Sequence, residues 1–312
     1  MAYSQGGLIA ASDYNTFVGS NNTTSGTLNY VWSTGNGQYG YGQTGLSAVS
    51  GAGQVTATQW ASLINTMNSV SKHQSGGSGT GFTVPTAGSL ISYLSALSGD
   101  IATYNTNHLL FNSTQGTTST GTVYTAGITA TQGTAYGEAT YAIRTVTFSS
   151  GDAARYFFNA GGQINLVITG VTNNDSTSRS ADAVTTIGTN LGGVSAFRAL
   201  TNGGLTGSGG TVNINNTSFG YYSLTTSYVE TQKVTSASGT YSNDYAAVYY
   251  KSNGVQGSNA DTGTVITIAL NYQSTHAGSF NDTLNVTVSH RVDVIYPETT
   301  NLTNSWSTVT IA

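Results

Sequence analysis

Hydrophobic positions change their spacing about a third of the way along the chain. Trp60, Leu63, Met67 and Val70 fall three, four and three residues apart, and Ile64 widens the stripe. Thr56 stands where a cap belongs and Lys72 where a last-turn cation belongs, so a helix is expected over 56–72. Leu90, Leu94, Leu97, Ile101 and Tyr104 form an a/d heptad seam on a second expected helix, from about Gly88 to Asn105. Two such helices can pair as a hairpin within one chain, or pack around a symmetry axis between copies. The second arrangement makes those five residues a candidate oligomer interface. A shorter helical piece is expected after Ser12-Asp13, and a glycine-rich loop over 33–45.

From about Gly116 the period becomes two. Val146 and Phe148 alternate with Thr145 and Thr147, and Ile164, Leu166 and Ile168 alternate with their neighbours. Between these strands, Ser150 can cap a short helix, Asp152 complements its dipole, and Gly161 can end it. Tyr245–Tyr250 reads as a strand. Ile266, Ile268, Leu270 and Tyr272 share one face of another; Leu284, Val286, Val288, His290, Val292, Val294 and Tyr296 share one face of the next, which Pro297 stops. These last two are expected to form a hairpin around a loop at 276–282. The stretch 173–210 is rich in Asn, Ser, Thr and Gly, with only 183–191 helical in pattern. It reads as a long excursion from the sheet, the kind of segment that often carries function. The expected fold is mainly β: an N-terminal helical region over 1–112, then a β-sandwich-like C-terminal domain over 113–312, joined through a helical hairpin or short coiled coil.

Composition narrows the class. Charged residues make up 6% of the 312, against a typical value of about 25%. Solubility must come from hydroxyls and amides. With 2 Pro, 20 Tyr and 38% hydrophobic residues, the chain is nonetheless not of disordered composition. The absence of cysteine excludes disulfides, zinc–thiolate and iron–sulfur sites, and a Cys nucleophile. Eight scattered basic residues cannot track a phosphate backbone, so no nucleic-acid partner is expected. No stretch approaches the roughly 18 apolar residues of a membrane span. The opening Met1–Gly7 lacks a basic n-region, so no secretory signal is expected either.

Candidate chemistry is sparse. Gly35-Asn36-Gly37-Gln38-Tyr39-Gly40 matches G-x-G-x-x-G, but Gly42 and Gly45 oppose the helix a dinucleotide site needs, and no acid follows until Asp100. Of four histidines, His290 lies on an apolar strand face, His73 and His108 follow helices, and His276 sits in a loop; no hydrolase elbow or zinc motif accompanies them. The acids are scattered singly, although Asp175, Asp182 and Asp244 could converge in a groove and would then suit glycan cleavage. Asn173-Asn174-Asp175 and Ser258–Asp261 lack calcium-loop spacing and read as turns. No catalytic residue, metal or cofactor is expected. Tyr39, Tyr41, Tyr221, Tyr222, Tyr249 and Tyr250 could offer flat faces to sugars, but consecutive strand tyrosines point to opposite sides, so one of each pair should be core.

Two groups of residues resemble known proteins. Tyr3–Phe17, with Gly40-Tyr41-Gly42-Gln43 and Val55–Trp60 downstream, resembles the start of structural proteins of tailed bacteriophages. Ala154–Ile164 resembles a segment of virion and tail-fibre-like proteins from phages of cyanobacteria and marine bacteria. The resemblance implies a non-enzymatic virion component, made in the host cytoplasm and released by lysis, most naturally a tail or baseplate fibre-like appendage. It implies as partners further copies of the chain, as a homotrimer by analogy with fibres, other virion proteins, and host-surface glycan. Gly6, Gly7, Tyr39 and Tyr41 are the candidate virion-attachment residues. The alternatives are a glycan-binding receptor-recognition tip using the 173–210 excursion, a capsid decoration or neck protein, and a polysaccharide depolymerase.

Overall fold

The computed structural model describes residues 10–51, 53–89, 94–114, 116–131, 136–237, 239–274 and 282–312. Four helices occupy its first third: α1 (Ala11–Val18), α2 (Leu28–Trp32), α3 (Ala57–Ser75) and α4 (Leu94–Thr106). At the start of α3, Thr56 and Gln59 form a reciprocal capping box, and Gly76 in the left-handed conformation ends the helix. Trp60, Leu63, Ile64, Met67 and Val70 are all buried, with Tyr14 of α1 edge-on to Trp60. α4 lies against α2 and α3. Its Leu97, Ile101 and Tyr104 are buried within this one chain, while Leu90 lies outside the described residues.

The remainder carries two antiparallel sheets. In the first, β4 (Gln163–Asn173) lies between β10 (Leu284–Tyr296) and β5 (Val194–Phe197), and β1 (Thr117–Ser119) and β2 (Tyr124–Ala130) share the far edge of β10. The second runs β11 (Thr310–Ile311), β3 (Tyr136–Thr147), β9 (Val265–Ser274), β8 (Tyr245–Ser252), β7 (Val229–Thr235), β6 (Thr211–Asn215). The alternation on β10 is as its sequence dictates: Leu284, Val286, Val288, His290, Val292 and Val294 are all buried.

The expected hairpin between β9 and β10 does not form. β9 pairs with β3 and β8, and β10 with β4, β1 and β2, so the two strands belong to different sheets. Alternation fixes which side of a strand is buried and is silent about its hydrogen-bonding neighbour. Both strands send their apolar faces into the same buried cluster, which also takes in the residues of α1–α4. Helices and sheets thus share one core.

Between β3 and β4 lies α5 (Gly151–Asn159), capped by Ser150, whose side chain accepts from the Ala153 amide. It buries Phe157 and Phe158 in a ring cluster where Phe158 stacks on Tyr221 and Phe197 stacks on Tyr250. After β4, α6 (Ser178–Val184) passes into a π-helical turn over Thr185–Leu191, longer than the expected helix at 183–191.

Candidate functional site

The glycine-rich loop expected over 33–45 packs on α5. Arg155 of α5 is fully buried. Its guanidinium donates to the carbonyls of Tyr39 at 2.6 Å and Thr34 at 2.8 Å, and lies 3.2 Å from Asp152 Oδ1. Asn159 donates to the carbonyl of Gly40 at 3.1 Å, and the Tyr222 hydroxyl donates to that of Gly37 at 2.7 Å. The loop 34–40 therefore holds its carbonyls inward around a cation. That is the opposite of a dinucleotide loop, which turns amide N–H groups toward a phosphate. Gly40, with φ of +95°, permits the approach: a Cβ there would stand 2.2 Å from the Thr34 oxygen.

The two tyrosines of this loop are used within the chain. Tyr41 is fully buried; its hydroxyl donates to the carbonyl of His108 and accepts from Gln74. Burial pushes the Tyr41 phenol well above its ordinary value. Tyr39 is stacked between Tyr30 and His108, with ring centroids 4.4 and 3.8 Å away, so neither of its faces is open to a partner. Both rings of the candidate attachment set are thus engaged in packing within the chain. Gly6 and Gly7 lie outside the described residues.

A polar cleft of about 590 Å³ opens on the excursion at 173–210. α6 supplies Ser178 and Asp182, and the π-helical turn supplies Thr185; the stretch after β7 supplies Ser236 and Tyr241; Asp282 comes in from the chain before β10. The Tyr241 hydroxyl donates to Asp282 Oδ2 at 2.8 Å, and Ser236 Oγ donates to Asp182 Oδ1. Burial raises the Tyr241 phenol above its ordinary value, and the neighbouring charges of Asp282 and Asp182 raise it further, so it remains a donor at neutral pH. Asp244 is fully buried, 3.4 Å from the Tyr272 hydroxyl, and the Arg179 side chain reaches Ser274 Oγ at 3.1 Å. Asp182 and Asp244 both act on the Tyr272 phenol, but Asp182 lines the cleft and Asp244 does not. Asp175 turns away to bind Thr177 and Thr283 around the start of α6.

The remaining candidates have structural partners. Asn173 Oδ1 accepts from the amides of Asp175 and Ser176, and Asp261 Oδ2 from that of Ser258, so both segments weighed as calcium loops are hydrogen-bonded turns. Among the described residues no group of three His, Asp or Glu is arranged to hold a metal ion. His73 is buried against Glu298. Asp282 went unnoticed in the sequence because nothing in a loop of Gly, Ser and Asn marks one acid as special. Arg155 did leave a signal: a cation inside an otherwise apolar stretch. Comparison with family models, curated proteins and solved structures finds no match for this chain.

Proposed function

We propose that the chain is a structural component of a tailed-phage virion, a tail or baseplate fibre-like appendage that acts by shape and surface contact and not by turnover. The observation that carries this reading is the Arg155 clamp. Within Ala154–Ile164, Arg155 binds the carbonyls of Thr34 and Tyr39 and Asn159 that of Gly40, just ahead of Tyr41–Gln43, so what this contact maintains is an architecture, not a reaction centre. In this reading the two sheets form a β-sandwich-like distal module. The helical region faces the particle, and association into a homotrimer is completed there. Mass spectrometry of purified particles tests it: peptides of this chain at the stoichiometry of a tail protein support the reading, and their absence refutes it.

The cleft favours a second reading, a receptor-recognition tip for host glycan. Paired carboxylates beside a tyrosine suit hydroxyl-bearing ligands, since each carboxylate oxygen can accept from a sugar hydroxyl. Incubation of the pure protein with host polysaccharide separates recognition from cleavage, because a depolymerase would shorten the polymer.

A further inference from the structure

We propose that the outward face of the six-stranded sheet binds an anionic saccharide, one whose rings carry carboxylates. The proposal rests on the reading of the chain as a surface appendage and assigns a ligand class to a face distant in kind from the acidic cleft.

The register of the strands defines this face. Tyr249 on β8 lies opposite Ala269 on β9 and Glu230 on β7, Ala247 lies opposite Asn271 and Lys233, and Lys251 lies opposite Thr267. Side chains alternate across a strand, so these residues share the side turned away from Ile268, Leu270, Val248 and Tyr250. Tyr228, 40% exposed, extends the face just before β7, edge-on to Tyr249. Ala247 and Ala269 are too short to rise to ring height, and both are buried beneath their neighbours. The alanine methyls are covered, so the surface presented is made of the side chains of Tyr228, Tyr245 and Tyr249 and of the lysines beside them. Such a surface fits the C–H face of a pyranose, with phenolic hydroxyls at its margin.

Charge selects among sugars. The chain has three lysines in all, and two stand here: Lys233 Nζ lies 3.7 Å from the Tyr245 ring centroid, and Lys251 Nζ 4.3 Å from that of Tyr228. Glu230 is matched locally, accepting from the Tyr249 hydroxyl at 2.5 Å and lying 3.6 Å from Lys233. Lys251 has no carboxylate partner among the described residues. The face is therefore cationic on a chain of net charge −4. Beside Tyr249, Asn271 is 2% exposed and its amide Oδ1 is without a hydrogen-bond partner. A ring carboxylate on Lys251, with the pyranose over Tyr228 and Tyr249, completes the match.

Affinity electrophoresis of the full chain through gels containing polygalacturonate or dextran tests this. Retardation by polygalacturonate and not by dextran is expected. Lys251→Gln and Tyr228→Ala should each weaken it about five- to tenfold, while Arg198→Gln, the same charge change at another exposed site, should not. Thermal unfolding of each variant verifies folding, and Lys251→Gln decides the matter if Tyr228→Ala is unstable. No retardation by polygalacturonate, equal retardation by dextran, or an unaffected Lys251→Gln overturns the proposal. Absence of the chain from particles would refute the appendage reading and leave this binding standing; loss of the binding would do the reverse.

Discussion

His73 Nδ1 lies 3.0 Å from Glu298 Oε1, across 225 residues of chain, with both side chains buried. The contact fastens the end of α3 to the segment leaving β10. Glu298 Oε2 accepts from the amides of Thr300 and Asn301 as well. Burial alone would raise the Glu298 carboxyl, but the hydrogen bonds from His73 and Asn301 outweigh it and hold it below its ordinary 4.5. A carboxylate favoured in the folded state contributes stability above that value and loses it as pH falls through the lower folded one. Glu298→Ala should cost about 3–5 kcal/mol at neutral pH, read as a shift in urea midpoint, and should shrink the stability lost on acidification below pH 4.5.

Arg155 carries more than its charge. Its planar fork reaches two carbonyls and a carboxylate at once, which a lysine ammonium cannot do. Arg155→Lys should therefore fail to rescue. Both Arg155→Lys and Arg155→Met should destabilise by roughly 3 kcal/mol or more. Hydrogen exchange should show the first loss of protection in amides of the 34–43 loop, such as those of Tyr41 and Gly42, which bond to the carbonyls of Val31 and Ser33.

Two glycines give a matched pair. At Gly40 a Cβ meets the Thr34 carbonyl oxygen and carbon at 2.2 and 2.6 Å, and the positive φ adds strain, so Gly40→Ala should cost well over about 1 kcal/mol. At Gly51 a Cβ meets nothing within 4 Å, so Gly51→Ala should leave the melting temperature unchanged or slightly raised.

His290 gives the core an acid limit. It is fully buried where the β10 register slips between Ser289 and His290, with the Arg144 guanidinium and the Tyr124 ring as its charged and titratable neighbours. Burial, then the Arg144 charge, lowers the imidazole to about 4 from its ordinary 6.5. As pH falls through that window the unfolded chain takes up the proton first. Stability should thus drop by up to about 3 kcal/mol between pH 6.5 and 4, and His290→Val should flatten this slope. Melting temperatures measured across the range, in parent and variant, check the sign.

Much of this was legible because period and caps are local. The Thr56–Gln59 box, the Ser150 cap and the apolar face of β10 are each specified by neighbours in sequence. Pairing was not legible, since β9 and β10 look like a hairpin to any rule that reads only alternation. Nor were the long-range contacts. Nothing near His73 announces Glu298, and nothing near Tyr39 announces that His108 will cover its second face. The candidate site was half visible. Asp182 and Asp244 stood out as acids in a chain short of charge, whereas Asp282 and the sheet face of Tyr228 and Lys251 need the register to bring them together.

On the proposed reading, this chain builds part of a particle. Cryo-EM of purified particles carrying its gene tests that most directly. The account predicts density fitting the two sheets and the Arg155-clamped loop, in several symmetric copies on a tail or baseplate, with the helical region toward the particle. Particles that lack that density, and lack the chain's peptides, would contradict it.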